Sequence, residues 1–393
     1  MIFSTRIKSI VLLLSAPLGA LSQSCDSLAE RREVRSLTPN ELQAFINAVR
    51  DFHSGPSPTG YDRLANIHAT YFGAAHNNAA FFPWHRKFLK DFEMALQKIN
   101  PSVQLPYWDW SLDSQSPGES IIFSKDYFGG NGDANNGYCV TNGPFVNWTM
   151  RYPDIHCLRR QFDGSDGNLM DPFYSPETIK RILRRARNYD TLRKNIESPP
   201  HGVVHVGIGG SNGDMAFATS TNDPLFWLHH AFVDKIWSDW QSLDPSRYFE
   251  YGGTGPGNTP ARLTDSMMPF RVSVNSMMDT SKPGLCYRYV EVTSKDSVNK
   301  RSEVKSLEKV INYSGHKENP TQHWYKLHLP KPLPEAYISM MGMSVPEVRE
   351  IEKQWIDVTQ SFNNNSTYIS PICLAKKNET LSKYFHYSYR FRH

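Results

Sequence analysis

Six of the fourteen histidines fall into two sets whose spacing and surroundings suit metal binding. His201 and His205 lie four residues apart on a helix that a Ser-Pro-Pro run at 198–200 would begin, so both imidazoles face the same side. His85 and His230 each share a helical stripe with apolar residues and therefore point toward the core. The first set consists of His68, His76 and His85, and the second of His201, His205 and His230.

The residue types in these two triplets favour copper over the other common protein metals. Neutral imidazole nitrogen is a good ligand for copper, zinc, iron and nickel. A single inward histidine is more often a core residue with ordinary hydrogen-bond partners, but two matching triplets favour a metal site. Neither triplet includes a cysteine or a carboxylate, and all-nitrogen ligation favours copper over structural zinc or iron. No cysteine pair has C-x-x-C spacing, which argues against a zinc ribbon.

Helical signals dominate residues 37–241 and would position these histidines. Thr38 and Glu41 have the spacing of an N-cap and its capping box. Gly207 and two later glycines would end the short helix that carries the first two histidines of the second triplet. Periodic apolar residues predict further helices over 61–72, from about 83, from 176 and over 224–241. The chain is therefore predicted to be mainly α, with a helical bundle as its core.

Two stretches of the chain resemble the copper signatures of the tyrosinase family. Residues 76–86 read HNNAAFFPWHR and continue to Leu89 and Glu93, and residues 223–230 read DPLFWLHH and continue to Asp234. Shorter segments, LPYWDW at 105–110 and CYRY at 286–289, also resemble family segments, so the resemblance covers about residues 36–290. It implies a helical bundle that encloses a dinuclear, type-3 copper site.

The resemblance also implies ligands, a substrate and a reaction. His229 is not a ligand in the family pattern, whereas His68, His76 and His85 would bind one copper ion and His201, His205 and His230 the other. The two ions would use O2 to oxidise a small phenolic substrate, converting catechols to o-quinones. Asp234, one turn beyond His230, and Asp109 would act as hydrogen-bond acceptors that orient a ligand. A helix-surface carboxylate is the alternative interpretation of Asp234.

Three further positions bear on whether monophenols are hydroxylated before they are oxidised. Glu197 matches the family glutamate that holds a water for deprotonating the phenol, although the helix dipole alone favours a carboxylate at a helix start. Gly202 stands where the family has an asparagine that helps to hold this water. Phe217 stands where smaller residues often line the substrate entrance, unless it packs in the core. These differences favour catechol oxidation over monophenol hydroxylation without deciding between them. Ala74 stands where some relatives have a cysteine that forms a thioether crosslink, so no such crosslink is predicted.

The N-terminal segment and the cysteines indicate a secreted, extracellular protein. Residues 1–22 carry Arg6 and Lys8, an apolar run and small residues before a cleavage point, as signal peptides do. The run is shorter than the ~20 apolar residues of a membrane anchor, which is the alternative interpretation. The five cysteines predict the disulfides Cys139–Cys157 and Cys25–Cys286, with one thiol left over or paired elsewhere. Glycosylation sequons begin at Asn147, Asn312, Asn364, Asn365 and Asn378.

We expect three segments along the chain. These are a signal peptide at 1–22, a copper-binding domain at 23–290, and a C-terminal extension of uncertain fold at 291–393 that acts as a lid or propeptide. A helix is predicted within this extension over 345–362. A net charge of +4 is too mild to imply a nucleic-acid partner or, once the signal peptide is removed, a membrane partner. The sequence leaves the oligomeric state open.

Two other functions would use the same site. An oxygen carrier resembling the haemocyanins would have similar copper sites, but carriers usually assemble many units and this chain has one copper domain without repeats. An inactive matrix protein would keep the fold without the activity, but all six ligands are intact. The sequence therefore favours a secreted copper oxidase that acts on catechols.

Overall fold

The computed structural model describes residues 24–165, 169–290, 326–365 and 370. The described chain is mainly helical, as predicted. Its helices are α1 (Pro39–Phe52), α2 (Gly60–Thr70), α3 (Phe72–Ala75), α4 (Phe81–Ile99), α5 (Pro176–Arg185), α6 (Tyr189–Glu197), α7 (Pro199–Gly209), α8 (Leu225–Ser242), α9 (Glu335–Met340) and α10 (Val345–Asn364). None of the described helices has both the length and the apolar character needed to cross a membrane.

The strands are short and pair two by two. β1 (Ala29–Arg31) pairs in parallel with β8 (Tyr287–Tyr289), with Ala29 opposite Tyr287. The antiparallel pairs are β2 (Gly132–Asp133) with β3 (Cys139–Val140), β4 (Thr149–Met150) with β5 (His156–Cys157), and β6 (Ser266–Met267) with β7 (Val272–Ser273). Two-stranded pairs of this length cannot form a core of their own, so the helices provide it.

Both predicted disulfides are confirmed. Cys25 is bonded to Cys286 just before β1 and β8, with 5.6 Å between the Cα atoms, so a crosslink and a strand pair fasten the same two distant segments. Cys139 is bonded to Cys157, which links β3 to β5. Cys373 lies outside the described residues. Of the sequons, Asn147, Asn364 and Asn365 are exposed, whereas Asn312 and Asn378 are also outside the described residues.

Helices α4 and α8 form the centre of the molecule. α4 buries one face that includes Phe88 and Phe92, as expected for an amphipathic helix. α8 is buried on nearly every side, which explains why apolar residues occur all round it. Phe92 of α4 stacks on Trp227 of α8 with 3.8 Å between the ring centroids. The two helices that carry the metal-ligand motifs are therefore packed directly against each other.

The predicted helices form, with differences at their ends that have physical causes. Thr38 caps α1, and Glu41 completes the predicted capping box. α7 ends at Gly209, and Gly210 then adopts a positive φ of 53°, so two of the three glycines predicted to end the helix lie at its end and Gly207 lies inside it. A Cβ atom at Gly207 would lie 2.7 Å from a ring carbon of Phe173. This glycine therefore permits close packing inside the helix and does not end it.

Residues 326–365, here called the C-terminal segment, pack against the helical core. Its helix α10 confirms the helix predicted at 345–362. Trp355 of α10 is buried and donates from its indole N–H to Asn195 Oδ1 at 2.7 Å. Thr359 Oγ1 lies 3.0 Å from Thr178 Oγ1 of α5. The segment thus docks on α5 and α6, while a domain boundary at residue 290 stays a prediction.

A buried charged network ties α4 and α8 to β8. Arg86 Nε donates to Asp234 Oδ1 at 2.7 Å, and both side chains are almost completely excluded from solvent. The hydroxyl groups of Tyr287 and Tyr289 donate to Asp234 Oδ2 at 2.5 and 2.7 Å. A buried ion pair with these additional hydrogen bonds is compensated, but removing one partner leaves a buried charge without a counter-ion.

We expect Asp234→Asn to lower the free energy of unfolding by about 3–5 kcal/mol, because Arg86 would keep its buried charge without its closest counter-ion. Asp91→Asn is the control, since Asp91 pairs with Lys87 at the partly exposed side of α4 and such pairs contribute ~0–1 kcal/mol. Urea denaturation followed by circular dichroism measures both losses. Losses of equal size in the two variants would contradict the role assigned to the network.

Candidate metal centre

The two predicted histidine triplets meet at the centre of the bundle. One ligand atom from each of His68, His76 and His85 lies within 4.8 Å of the others. The corresponding atoms of the second triplet, together with His229, lie equally close to one another. The rings of His85 and His230 stack with 4.2 Å between their centroids, which brings the two clusters side by side. All seven side chains are buried.

Several elements of the bundle deliver these side chains. α2 carries His68, α4 carries His85, and His76 lies at the C-terminal end of α3. α7 presents His201 and His205 one turn apart on one face, as their spacing predicted. α8 carries His230, the third member of the second triplet. Because α4 and α8 pack directly together, His85 of the first triplet lies beside His230 of the second.

Backbone carbonyl groups orient five of the six predicted ligands. In each of the five, the ring Nδ1 lies within hydrogen-bond distance of a carbonyl oxygen. The pairs are His68 with Ala218 at 2.8 Å, His76 with Phe72 at 3.1 Å, His85 with Phe81 at 2.8 Å, His201 with Glu197 at 2.8 Å and His205 with Met215 at 2.7 Å. Because a carbonyl only accepts, each Nδ1 carries the proton and Nε2 keeps a free lone pair. The fold therefore selects the tautomer that binds a metal through Nε2.

These free nitrogens lack compensating partners within the described residues. The Nε2 atoms of His68 and His85 and both ring nitrogens of His230 are buried without a hydrogen bond. Nε2 of His201 lies 3.0 Å from Nε2 of His205, although both are acceptors in this tautomer. Buried polar atoms without partners are costly. A cation bound by the imidazoles would remove this cost, and an all-nitrogen donor set fits copper.

Burial also keeps these imidazoles neutral. It lowers the pKa of His68 to about 3 and that of His205 to about 4. The pKa values of the other four ligands are lowered as well, first by burial and then by the proximity of neighbouring histidines. The neutral imidazole is the form that binds a metal, so binding at neutral pH displaces no proton from these rings.

His229 is the member of the second cluster that the family pattern left out. Its ring stacks on that of His201 with 5.2 Å between centroids. Both of its ring nitrogens are buried without a hydrogen bond to any described residue. Adjacent residues on a helix point about 100° apart, yet His229 and His230 are both buried, because α8 is buried on nearly every side. The continuous apolar run around them is the signal that α8 is buried on both sides.

Glu197 is completely buried and lies next to both clusters. Its carboxylate accepts a hydrogen bond from the backbone N–H of Asn77 at 2.5 Å and one from Arg193 Nη1 at 2.9 Å. Burial raises the pKa of Glu197, and the positive charge of Arg193 opposes that shift. The residue lies at the C-terminal end of α6 and not at an exposed helix start.

Phe217 lines a cavity of about 550 Å³, and Gly202 packs against Leu333 and Tyr337, which line the same cavity. A Cβ atom at Gly202 would lie 2.9 Å from Leu333 Cδ1 and 3.0 Å from Tyr337 Cε1 of the C-terminal segment. None of the seven histidines lines the cavity, but the ring of Tyr337 lies 6.4 Å from the ring of His205 between centroids. Phe217 is 45% exposed, so it is not a core residue. The C-terminal segment thus forms one wall of the cavity, and its Tyr337 lies near the second triplet.

Asp234 and Asp109 form their hydrogen bonds with groups other than the imidazoles of the centre. Asp234 binds Arg86 and two tyrosine hydroxyl groups, so any influence on His85 passes through its chain neighbour Arg86. Asp109 accepts from the backbone N–H of Ser111 at 3.2 Å and caps a short 3-10 turn. Burial raises the pKa of Asp109 to about 6. Both carboxylates therefore stabilise the scaffold around the centre.

Comparisons with known proteins agree with this site. The family model described as the common central domain of tyrosinase matches residues 58–243, a range that contains all six predicted ligands. The tyrosinase ustQ of Aspergillus flavus is 38% identical over 292 residues, which cover 67% of this chain and 80% of that protein. A tyrosinase of Streptomyces antibioticus is 33% identical over 264 residues, which cover 61% of this chain and 92% of that protein.

A solved structure shares the fold. A polyphenol oxidase variant from Thermothelomyces thermophila superposes with a TM-score of 0.54 at 26% sequence identity, over 67% of this chain and 89% of that one. Motifs, paired histidine clusters, helical fold and sequence identity thus agree. The chain belongs to the tyrosinase family of type-3 dicopper proteins.

Proposed function

We propose that this chain is a secreted oxidase that binds two copper ions and uses O2 to convert catechols to o-quinones. The observation that carries the proposal is the convergence of two buried imidazole triplets with uncompensated nitrogen lone pairs. Copper bound there would supply the electron transfer to O2. The ligands of one ion would be His68, His76 and His85, and those of the other His201, His205 and His230. The two disulfides support secretion, because such bonds persist in oxidising compartments.

The cavity lined by Tyr337, whose ring lies 6.4 Å from that of His205, would receive the substrate. Its volume of about 550 Å³ lies within the range of small-molecule sites. Apolar side chains of the core domain line much of it, namely Val203, Val206, Ala216 and Phe217. Such a lining favours a neutral aromatic ring over a charged molecule. The exposed ring of Phe217 would contact the substrate ring at the cavity mouth.

The surroundings of Glu197 support catechol oxidation over monophenol hydroxylation. A monophenol must give its proton to a base before it is hydroxylated. Both oxygens of Glu197 already accept hydrogen bonds, one of them from a buried arginine. Gly202 has no side-chain amide, such as that of asparagine, that could help to hold a water. Glu197 remains our candidate for holding that water, since each carboxylate oxygen has a second lone pair, but with little assistance.

We also propose that the C-terminal segment is a lid that restricts access to the site. Leu333 and Tyr337 are buried against α7 at Gly202. Lys331 Nζ lies 3.1 Å from Asp171 Oδ2, and both residues line the same cavity. The segment is therefore held on the cavity by apolar packing and by an ion pair. Its displacement would widen the approach to the second triplet.

Copper content and oxygen consumption test the central proposal together. Wild-type protein loaded with copper is expected to hold two ions per chain and to consume O2 with 4-methylcatechol. His230→Ala is expected to lose about one ion and the activity, because three imidazoles are needed to hold each ion. His229→Ala is the matched control and is expected to keep both ions. Elemental analysis and an oxygen electrode supply the two measurements.

Two results would contradict this account. An equal loss of copper in His229→Ala and His230→Ala would overturn the ligand assignment. Wild-type protein that holds two ions and binds O2 reversibly, but does not oxidise the catechol, would indicate an oxygen carrier.

Truncating a side chain that packs the C-terminal segment against α7 should activate the enzyme. Leu333→Ala is expected to raise kcat/KM for 4-methylcatechol by about tenfold or more, because losing a buried leucine costs ~2–5 kcal/mol and here weakens only the closed state. Lys353→Ala, on the exposed face of α10, is the control and should leave kcat/KM unchanged. Steady-state kinetics without protease treatment measure both. An unchanged or lower value in Leu333→Ala would contradict the proposed lid.

The substrate preference should depend on residue 202. After limited proteolysis removes the C-terminal segment, Gly202→Asn is expected to raise the ratio of monophenol to catechol activity, because the amide can help Glu197 to hold a water. Gly202→Ala is the matched control, since it also adds a side chain at this position of α7 but brings no side-chain amide. Initial rates with the neutral pair p-cresol and 4-methylcatechol give the ratio. Equal ratios in the two variants would contradict the role assigned to this position.

A further inference from the structure

Glu197 contacts a ligand of the second triplet and the chain neighbour of a ligand of the first. Its backbone carbonyl accepts the hydrogen bond from Nδ1 of His201 at 2.8 Å. Its carboxylate Oε1 accepts the hydrogen bond from the backbone N–H of Asn77 at 2.5 Å. Asn77 directly follows His76 in the chain. One residue therefore holds a ligand of the second triplet by its main chain and the neighbour of a ligand of the first triplet by its side chain.

Arg193 fixes the carboxylate of Glu197 in this orientation. Its Nη1 donates to Glu197 Oε2 at 2.9 Å, and it lies one turn earlier on α6. Its Nε and Nη2 donate to Asp190 Oδ1 at 3.1 and 2.8 Å. Arg193 is buried, so the guanidinium is not free to change partners without leaving a charge uncompensated. The Asp190–Arg193–Glu197 chain thus forms a rigid brace along α6.

The backbone at Asn77 is held by contacts with distant parts of the molecule. Asn77 has φ of +53°, a left-handed conformation that asparagine adopts more readily than most residues other than glycine. Its side-chain amide donates to the carbonyl of Gly342 in the C-terminal segment, and its backbone N–H donates to Glu197. The turn after His76 therefore combines a local preference of asparagine with contacts from α6 and the C-terminal segment.

We propose that Glu197 is a positioning residue that fixes the separation of the two metal positions, with Arg193 as its counter-ion. The inference rests on the proposed function in that both triplets are taken to hold copper. A rigid link between the two triplets matters because two metal ions can act on one oxygen molecule only at a set distance. This role adds to any water that Glu197 holds.

Magnetic coupling between the two Cu(II) ions reports this separation without reference to activity. Two bridged Cu(II) ions a few ångströms apart couple and give no electron paramagnetic resonance signal, whereas uncoupled ions do. Wild-type protein reconstituted with Cu(II) is expected to hold two ions that give almost no signal. Glu197→Leu removes the acceptor for Asn77 and should keep most of its copper while most of that copper becomes visible in the spectrum. Glu197→Gln keeps an oxygen acceptor and should remain largely silent.

The controls separate this role from loss of folding and from failure of the proposed function. Circular dichroism establishes that each variant folds. If Glu197→Leu does not fold, Arg193→Met, which leaves the carboxylate in place without its fixed orientation, should show the increased signal instead. A folded Glu197→Leu, or in its place Arg193→Met, with two silent copper ions would overturn the positioning role alone. Wild-type protein with fewer than two ions, or with two uncoupled ions, would overturn the proposed function as well.

Discussion

The hydrogen bond from a histidine Nδ1 to a backbone carbonyl is the interaction on which the metal centre depends. It holds the ring in place and assigns the proton to one nitrogen, which leaves the other as a metal ligand. Five of the six predicted ligands have this bond. A carbonyl acceptor adds no charge, so the imidazoles stay neutral in a buried and apolar environment. The remaining lone pairs are then directed at one another, and a bound cation is what compensates them.

The surrounding fold serves mainly to keep these carbonyls and rings in place. α4 and α8 pack through stacked aromatic rings, and the Arg86–Asp234 pair with its tyrosine partners fastens them to β8. On the other side, α6 and α7 meet at Glu197 and bring the second triplet next to the first. The C-terminal segment packs on α7 where Gly202 leaves room for Leu333 and Tyr337. The centre is therefore enclosed by the helical scaffold, with the C-terminal segment next to its second triplet.

Local signals in the sequence predicted a large part of this structure. The capping residues of α1, the spacing of His201 and His205 and both disulfides were visible because each depends on short motifs or on residue type. The carbonyl acceptors could not be predicted, since any residue supplies a carbonyl and only the fold determines which one is near a ring. His229 was left out of the ligands because the family pattern does not use it, and only the structure shows its ring beside those of the second triplet. The hydrogen bonds that run from Arg193 through Glu197 to Asn77 join residues more than 100 positions apart, and no local pattern in the sequence encodes them.

X-ray absorption spectroscopy of the copper-loaded protein tests the central claim most directly. We expect about three imidazole nitrogens per copper at about 2.0 Å and a copper–copper scattering path of about 3.5–4 Å. Spectra with sulfur ligands, or with copper coordinated by nitrogen but without a copper–copper path, would contradict two triplets that hold a metal pair.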